Sequence, residues 1–367
     1  MKKVLMGFII NGRSGGVDQY ILNFLESVKN EEILIDLMTN EADKELAERL
    51  AGMGVSLLEI PRLRYPLRQY KRVREIIRNK NYDVVYLNIS TAIDCIAALA
   101  AKKCKVKKRV LHSHAAGNDC ENRWKRAVLD TLHKLCRHFL YRTGTDFYGA
   151  SRKAGLWMFP EKIVDSEKFN VVLSAVDKDR YSFDEAVRQD VRREFGVEHD
   201  LVIGHIGNFC PVKNYGFILE IFAEARKQDG SAHLLLVGDG PMYEEVKKET
   251  EEKGLSEYVT FTGWRTDTCR LVQGMDVLIL PSFFEGLSIV SLEAQCAQLP
   301  CVASDTVPEE IGITDACERI SLSEGAEKWA ECIIKYKGKD RKMIRFLPVR
   351  YPYDRKEQRE QLREILE

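Results

Sequence analysis

One lysine, two glutamates and the start of a helix form the clearest chemical pattern in the sequence. An apolar run ending at Leu280 leads into PSFFEGLSIVSLEA, where Glu285 stands in a loop and Glu293 lies within the following helix. Lys213 stands in the loop after another apolar run. The residues that open the helix are Gly286, Leu287 and Ser288. Helix N-terminal amides and an ammonium group favour a phosphate, and carboxylates accept hydrogen bonds from hydroxyls.

Each glutamate also has a simpler interpretation. Glu285 could be a carboxylate placed favourably at the positive end of the helix dipole, and Glu293 could be a solvated helix residue. The combination with Lys213 favours a site for a phosphate and for hydroxyl groups.

A glycine-rich turn follows the first apolar run of the chain, and a helix begins directly after it. Backbone amides approach a ligand closely where side chains are absent, so this turn is a second candidate anion site. The spacing is not GxGxxG, and no acidic residue follows at the distance that a nicotinamide cofactor needs, which disfavours a dehydrogenase. The residues concerned are Arg13, Gly15 and Gly16 within NGRSGGV.

Two histidines, His112 and His114, stand at the end of the run Val110–Leu111. At the carboxyl end of a strand, a histidine could donate to a hydroxyl or a phosphate. A metal site is disfavoured because no third ligand follows nearby. One of the two could instead be a structural residue.

The positions of these residues require two open parallel sheets. Two series of six short apolar runs alternate with helical patterns, which predicts an α/β chain with two doubly wound domains. The boundaries predicted are 1–170, 171–345 and a charged C-terminal helix in 346–367, which either caps its own domain or packs on the first. The length of 367 residues agrees with two domains.

Composition excludes several classes of protein. No apolar run approaches the ~18 residues of a membrane span. The ten cysteines form no CxxC pair, which argues against a disulfide framework or a zinc knuckle and favours reduced thiols in the cytoplasm.

The net charge of zero hides an asymmetry between the two halves. Residues 1–170 contain 30 Lys and Arg against 20 Asp and Glu, whereas 171–367 contain 26 against 36. The excess is concentrated in 61–80, with eight cations and one Glu, and in 102–109, with six cations and no acid. These segments are either solvated helix faces or a surface for an anionic partner. Nucleic acid is disfavoured because few aromatics interleave the cations and no known motif is present.

The motifs together resemble the retaining glycosyltransferases of family four, which have the GT-B fold. Glu285 and Glu293 match the E-x7-E pattern of that family, and GASRKAGLWMF resembles a segment of members that make exopolysaccharide, capsule or O-antigen. Further similar segments are IGHIGNFCPVKN, LLLVGDGPM, FTGWRTD and LPSFFEGLSIVSLEAQCAQLPCVASD.

The resemblance implies two facing Rossmann-like domains, with a nucleotide sugar held mainly by the second. It assigns the diphosphate to Lys213, the amides of 286–288 and the Gly15-Gly16 loop, and the ribose hydroxyls to Glu293. Glu285 would contact the donor sugar, and His114 matches the histidine that the family places in the cleft. The base would lie against Trp264 and Arg265.

The resemblance also implies that no metal or other cofactor is needed, because lysine and helix dipoles supply the charge. Asn208 stands where the family has an arginine, which leaves the diphosphate site one cation short. Arg13 of the glycine-rich turn is the predicted substitute.

The predicted function is the transfer of a sugar from a nucleotide sugar, UDP-linked, to a lipid-linked or polysaccharide acceptor in surface glycan synthesis. The protein is expected in the cytoplasm, held peripherally on the anionic inner face of the membrane by 61–80 and 102–109. Two alternatives stay open at this point: a non-catalytic, glycosyltransferase-like partner subunit and a nucleotide-sugar epimerase of the same fold.

Overall fold

The protein folds into two compact units. The computed structural model describes residues 1–10, 15–29, 32–120, 122–348 and 352–366. The first unit comprises Met1–Ala175 together with Tyr351–Glu367, and the second comprises Val176–Arg350.

The first unit alternates strands with helices along its length. Its elements are β1 (Lys2–Gly7), α1 (Gly16–Val28), β2 (Ile33–Thr39), α2 (Lys44–Ala51), β3 (Ser56–Glu59), α3 (Pro66–Lys80), β4 (Val84–Ile89), α4 (Ile96–Lys103), β5 (Lys108–Ser113), α5 (Arg123–Leu140), β6 (Asp146–Gly149), α6 (Arg152–Met158), α7 (Glu161–Val164) and β7 (Phe169–Val171).

The second unit repeats the pattern. Its elements are α8 (Lys178–Tyr181), α9 (Glu185–Phe195), β8 (Leu201–Ile206), α10 (Tyr215–Gln228), β9 (Ala232–Val237), α11 (Tyr243–Glu252), β10 (Val259–Phe261), α12 (Thr268–Gly274), β11 (Val277–Leu280), α13 (Ile289–Cys296), β12 (Cys301–Ser304), β13 (Cys317–Ile320) and α14 (Gly325–Ile334). The last helix, α15 (Arg355–Leu366), belongs to the first unit.

Both sheets are parallel and doubly wound. The first has the strand order β3-β2-β1-β4-β5-β6-β7 and the second β10-β9-β8-β11-β12-β13. The order therefore reverses between β1 and β4 in one sheet and between β8 and β11 in the other. Such reversals open a crevice at the carboxyl ends of the strands, where ligands bind in folds of this type. The α/β class with two doubly wound sheets is confirmed.

Apolar side chains cover both faces of the first sheet. On α1, Tyr20, Ile21, Phe24, Leu25 and Val28 form a buried apolar stripe. It packs with α2 and α15 on one face of the sheet. The other face is covered by residues of α3, α4, α5 and α6, which share one apolar cluster.

The C-terminal helix packs on the first unit, against α1. Its residues Leu362, Ile365 and Leu366 are buried in the same apolar cluster as α1. Gln361 Nε2 donates to the carbonyl of Val171 at 3.2 Å, and Lys2 Nζ donates to the carbonyl of Leu366 at 2.8 Å. The sequence left open whether this helix caps its own domain or packs on the first. The structure shows that it packs on the first domain.

The first sheet has one strand more than the apolar runs predict. The short strand β7 pairs with β6 through Phe147 and Phe169, so the first unit extends to Ala175 and not only to residue 170. A three-residue strand is too short to produce a recognisable apolar run. Within the described parts of the chain, no helix has the length and apolarity to cross a membrane.

Candidate functional site

The loops after β8 and β11 meet at the reversal point of the second sheet. The amide of Phe283 donates to the carbonyl of Val212 at 2.9 Å. Asn214 Nδ2 donates to the carbonyl of Pro281 at 3.2 Å. These two bonds join the loop that carries Lys213 to the loop that carries Glu285.

Lys213 and Glu285 form an ion pair in the second unit. The ammonium nitrogen lies 2.7 Å from Glu285 Oε1, and the two side chains are only 16% and 13% exposed. A carbon at the Cβ position of Gly207 would lie 3.3 Å from Lys213 Cε, so the lysine stem crosses this glycine closely. The sequence predicted both residues at the site but treated them as separate contacts, one for phosphate and one for sugar. The structure joins them into one charged unit.

His205 lies near Lys213 and was not predicted as a site residue. A Cβ at Gly207 would lie 3.3 Å from both His205 Nε2 and Lys213 Cε. It is fully buried, its Nδ1 donates to the carbonyl of Ile279 at 2.8 Å, and its Nε2 is buried without a hydrogen-bond partner. Burial lowers the pKa of His205 to about 3, and the charge of Lys213 acts in the same direction. The imidazole is therefore neutral at pH 7. Its only sequence signal is a polar residue in the centre of an apolar strand.

Two glycine-containing loops pack backbone to backbone beside the pair. Gly238 and Gly240 have φ angles of 137° and 156°. A Cβ on Gly238 would lie 1.9 Å from the carbonyl oxygen of Gly207, and one on Gly240 would lie 2.4 Å from Asn208 Oδ1. Only glycine fits there, because both the space and the backbone conformation exclude a side chain. Asn208 itself is exposed.

Helix α13 begins directly after Glu285-Gly286-Leu287. Ser288 is its N-cap: the Oγ accepts from the amide of Ser291 at 3.4 Å, and Ser291 Oγ donates to the carbonyl of Ser288 at 2.6 Å. The buried Ser288 side chain therefore orients the first turn of the helix. Any contact of this residue with a ligand would come from its backbone.

Glu293 lies in α13 opposite the short helix α8. The hydroxyl of Tyr181 hydrogen-bonds Glu293, and Arg180 interacts with it electrostatically. Burial raises the pKa of Tyr181 well above its usual range, and the charge of Glu293 raises it further. Glu293 is therefore held by a neutral phenol and a cation, and it is only partly exposed. Neither partner was predicted, because α8 lies more than a hundred residues earlier in the chain.

Trp264 and Arg265 follow β10 at the same carboxyl edge. Trp264 is exposed. Arg265 donates from Nε and Nη2 to the two oxygens of Asp267, both at 2.7 Å, and Glu194 lies 3.5 Å from it. The hydrogen bonds to Asp267 raise the pKa of Arg265. This guanidinium is committed to carboxylates of its own unit, whereas the indole is available at the surface.

In the first unit, the glycine-rich turn leads into α1. Gly15 is the N-cap residue with a φ of 101°, and Gly16 is the first helical residue. The prediction for Arg13 lies outside the described residues. Asp18, in the first turn of the helix, accepts from the amide of Ile10 at 3.0 Å.

A neutral cluster of aromatic and polar side chains stands at the carboxyl ends of β4 and β5. His114 Nε2 hydrogen-bonds Asn88 Oδ1 at 2.9 Å, and His112 Nδ1 hydrogen-bonds the hydroxyl of Tyr86 at 2.8 Å. The two imidazole rings lie 4.1 Å apart, and the Tyr86 and Tyr20 hydroxyls lie 2.7 Å apart. Burial lowers the pKa of His114 to about 3 and that of His112 well below its usual value.

This cluster can hydrogen-bond hydroxyl groups but supplies no positive charge at pH 7. The described residues contain no group of three or more His, Cys, Asp or Glu side chains arranged to hold a metal ion. The charged chemistry therefore belongs to the second unit and the neutral chemistry to the first.

Comparison with known proteins identifies this combination of sheets and loops. Residues 14–152 match the family described as Glycosyltransferase Family 4, and residues 200–336 match that described as Glycosyl transferases group 1. EpsF of Bacillus subtilis, named as a glycosyltransferase, is 28% identical over 342 residues, which cover 91% of this chain and 87% of EpsF.

Two further proteins are similar over most of the chain. An Escherichia coli enzyme, UDP-Gal:alpha-D-GlcNAc-diphosphoundecaprenol alpha-1,3-galactosyltransferase, is 25% identical, covering 79% of this chain and 76% of its own. The solved structure of Anabaena Alr3699/HepE in complex with UDP-glucose superposes with a TM-score of 0.72 at 17% identity, covering 100% of this chain and 99% of HepE. The fold is GT-B, and the protein is a transferase enzyme. It belongs to the glycosyltransferases of the family-four type.

Proposed function

We propose that this glycosyltransferase moves a sugar, with retention of configuration, from a UDP-linked donor to a lipid-linked or polysaccharide acceptor in surface glycan synthesis. A UDP-linked donor is supported by two of the similar proteins: HepE binds UDP-glucose, and the E. coli relative uses UDP-Gal by name. The acceptor class is supported by the second of them, whose name gives alpha-D-GlcNAc-diphosphoundecaprenol, a lipid-linked sugar, as the acceptor.

The Lys213–Glu285 pair at the reversal point of the second sheet carries the proposal. Glu285 neutralises Lys213 at 2.7 Å. A diphosphate, with more negative charge than one carboxylate, competes for the ammonium group. When the donor binds, the ammonium group of Lys213 contacts the diphosphate in addition to Glu285 or in place of it. The carboxylate of Glu285 then turns to the sugar. One buried pair would thus hold both halves of the donor.

The remaining predicted residues take parts that their surroundings support. The start of α13, with the amides of 286–288, faces the diphosphate as the positive end of a helix dipole. Glu293, fixed by Tyr181, accepts hydrogen bonds from the ribose hydroxyls. Trp264, which is exposed, stacks on the base, and Arg265 lines the base beside it. His114, neutral, hydrogen-bonds a sugar hydroxyl.

The reaction needs one bond broken and one formed at the anomeric carbon. The bond from that carbon to the diphosphate oxygen breaks, and its electron pair stays on the phosphate next to Lys213. The acceptor hydroxyl attacks from the same face, and its proton passes to the departing phosphate oxygen. Glu285 stabilises the positive charge that develops on the sugar, so no covalent enzyme intermediate is required.

The proposal includes catalysis without a metal ion, since Lys213 and the helix dipole supply the counter-charge. We expect transfer activity to survive treatment with EDTA. Loss of activity that is restored by Mg²⁺ or Mn²⁺ would contradict this part of the proposal.

The proposal also includes peripheral attachment of the protein to the cytoplasmic face of a membrane. In 61–80, Arg64 and Arg68 are exposed around the ring of Tyr65, at 4.9 and 5.4 Å from its centroid, and Lys71 is exposed as well. In 102–109, Arg109 is turned inward, where its Nε donates to the carbonyl of Thr143 at 2.6 Å. The electrostatic surface is therefore smaller than the sequence count of cations indicates.

Calorimetric titration with UDP tests the donor site. Lys213→Ala should weaken binding about 10- to 150-fold, since a hydrogen bond to a charged group contributes ~1.5–3 kcal/mol. Lys227→Ala is the matched control, because Lys227 lies in the same unit and is an exposed lysine that pairs with a glutamate, Glu224. Lys213→Ala/Glu285→Gln separates the loss of the ammonium from repulsion by the orphaned carboxylate. UDP binding of Lys213→Ala at wild-type strength would overturn the donor-site assignment.

A further inference from the structure

Helix α5 exposes an apolar face that no part of the proposed transfer reaction uses. Of its 18 residues, only His133 and Leu140 are buried. Its exposed large side chains include an indole that is 86% exposed and a phenyl ring that is 59% exposed. The exposed apolar residues of the helix are Trp124, Val128, Leu132, Leu135 and Phe139.

These five side chains form a single stripe. Their spacing of four, four, three and four residues confines them to about 80° of the helix circumference at ~100° per residue. The stripe runs over the whole length of the helix, which is about 27 Å for 18 residues. An exposed apolar strip of this length is characteristic of a binding surface and uncommon on a solvated helix.

The opposite face of α5 fixes the helix to its own unit through polar contacts. His133 accepts from the amide of Ala92 at 3.1 Å, and its Nε2 donates to the carbonyl of Trp157 at 3.0 Å. The imidazole ring of His133 and the indole ring of Trp157 stack with their centroids 3.9 Å apart. Arg137 donates to the carbonyl of Leu156 at 2.8 Å. Because these contacts set the rotation of the helix, the apolar stripe points away from the core.

Cations flank the stripe at two positions. At ~100° per residue, Lys125 and Lys134 lie ~20° and ~80° beyond its two edges, whereas Arg123 lies further round the helix and Arg126 on the opposite side; all four are exposed. The helix contains one acidic residue, Asp130, whose carboxylate accepts from Asn118 Nδ2 at 2.9 Å. Helix α3, with its exposed Arg and Lys residues, packs on the same face of the sheet as α5.

We infer that α5 is an interfacial membrane helix whose apolar stripe inserts among the acyl chains of an anionic lipid surface. A helix with Trp, Phe and Leu on one side and bordering cations lies in the plane of such a surface, because burial of the apolar side chains and attraction to anionic headgroups act together. A second copy of the chain fits less well, since a two-fold interface would bring the same cations against each other. The inference deepens the proposed membrane-linked acceptor and names the contact surface.

The first experiment measures binding to vesicles of phosphatidylglycerol and phosphatidylcholine, without donor or acceptor. Leu135→Gln/Phe139→Gln should weaken partitioning by at least about tenfold, because two large apolar side chains no longer gain from leaving water. Both residues are exposed, so the fold is retained, which circular dichroism checks. Met343→Gln, at an exposed apolar position in the second unit, is the control and should bind like wild type.

Salt separates insertion from purely electrostatic attachment. At 1 M salt the Debye length is ~3 Å, so attraction by cations alone is lost, whereas the inserted stripe should keep part of the wild-type protein on the vesicles. Arg64→Gln/Arg68→Gln/Lys71→Gln should weaken binding at low salt only. Complete release of the wild type at 1 M, or unchanged binding of Leu135→Gln/Phe139→Gln, would overturn the inference.

Fluorescence places the helix directly. Vesicles should shift the emission of the wild type to the blue, and Trp124→Phe should abolish the shift while Trp264→Phe keeps it. If the protein ignores vesicles and instead forms a dimer that Leu135→Gln/Phe139→Gln dissociates, the stripe is a protein interface and the inference is wrong. UDP titration of the same variant should give the wild-type affinity, so a failure of the membrane inference stays distinguishable from a failure of the donor site.

Discussion

The carboxyl edges of the two sheets hold opposite kinds of polar chemistry. In the second unit, a cation and a carboxylate face each other as Lys213 and Glu285, with little exposure to solvent. In the first unit, His112 and His114 are neutral, since burial lowers the pKa of each. The same doubly wound topology therefore supports a charged site for a diphosphate and a neutral site for hydroxyl groups. Side chains at the reversal points, and not the fold, create the difference.

The largest expected effect concerns the carboxylate of the charged site. Glu285→Ala should lower kcat by about 10²–10³, because charge that develops on the sugar loses its stabilising partner. Glu224→Ala, on the surface of the same unit, is the control and should leave kcat unchanged. A near-normal kcat for Glu285→Ala would remove Glu285 from the reaction and leave it as a partner of Lys213 only.

The second expected effect concerns the ribose contact. Glu293→Ala should weaken UDP binding about 10- to 150-fold, in keeping with ~1.5–3 kcal/mol for a hydrogen bond that involves a charged group. The sharper measurement compares UDP with 2′-deoxy-UDP, which the wild type should distinguish and the variant should not. Tyr181→Phe should reduce this discrimination partly, because Tyr181 holds Glu293 in place. Equal discrimination in Glu293→Ala and wild type would argue against the ribose assignment.

The third expected effect is a pH dependence that differs between the two units. A histidine with a folded pKa near 3 and an unfolded pKa near ~6.5 contributes its full stability above pH ~6.5, and this is lost as the pH falls toward 3. The loss is ~1.4 kcal/mol per pH unit for each such histidine. The first unit contains His112 and His114, and the second contains His205, so the first should be the more acid-sensitive.

Urea unfolding at pH 7 and at lower pH measures this effect. His114→Gln and His205→Gln should each reduce the slope of the unfolding free energy against pH by the contribution of one histidine, ~1.4 kcal/mol per pH unit. This change in slope is separate from any change in stability at pH 7. An unchanged slope in both variants would mean that these imidazoles become protonated in the folded protein at ordinary pH.

The smallest expected effect concerns the missing arginine. Asn208 is exposed, and an arginine there should add one solvated cation to the diphosphate site. Asn208→Arg should tighten UDP binding by only about 1.4- to 5-fold, because exposed ion pairs contribute ~0.2–1 kcal/mol. Calorimetry checks this, and weaker binding in Asn208→Arg would indicate that Asn208 contacts the donor itself. That Arg13 supplies the positive charge missing at position 208 stays a prediction. Partial rescue of Arg13→Ala by Asn208→Arg would support it.

Local patterns in the sequence were sufficient for the sheets and for most of the site. Continuous apolar runs predicted the parallel strands because strands covered on both faces contain no alternation of polar residues. Lys213 and Glu285 were identified because each stands in a loop at the edge where parallel strands bind ligands, and Glu293 because it lies in the helix that begins there. The short strand β7 escaped because three residues produce no periodic signal.

The partners of these residues were not predictable in the same way. The ion pair joins positions that are 72 residues apart, and Tyr181 reaches Glu293 from a helix of only four residues. The buried His205 and the neutral state of His114 depend on desolvation, which is a property of the packed environment and not of neighbouring residues in the chain.

The sequence by itself therefore determined the class of fold, the edge of each sheet that carries the chemistry and the residue types placed there, because these follow from local periodicity and spacing. Only the tertiary structure decided which charges meet, which histidines lose their protons, that α15 packs on α1, and that α5 turns its apolar stripe to the outside. Each of these depends on contacts between residues distant in the chain, and on the burial that such contacts produce.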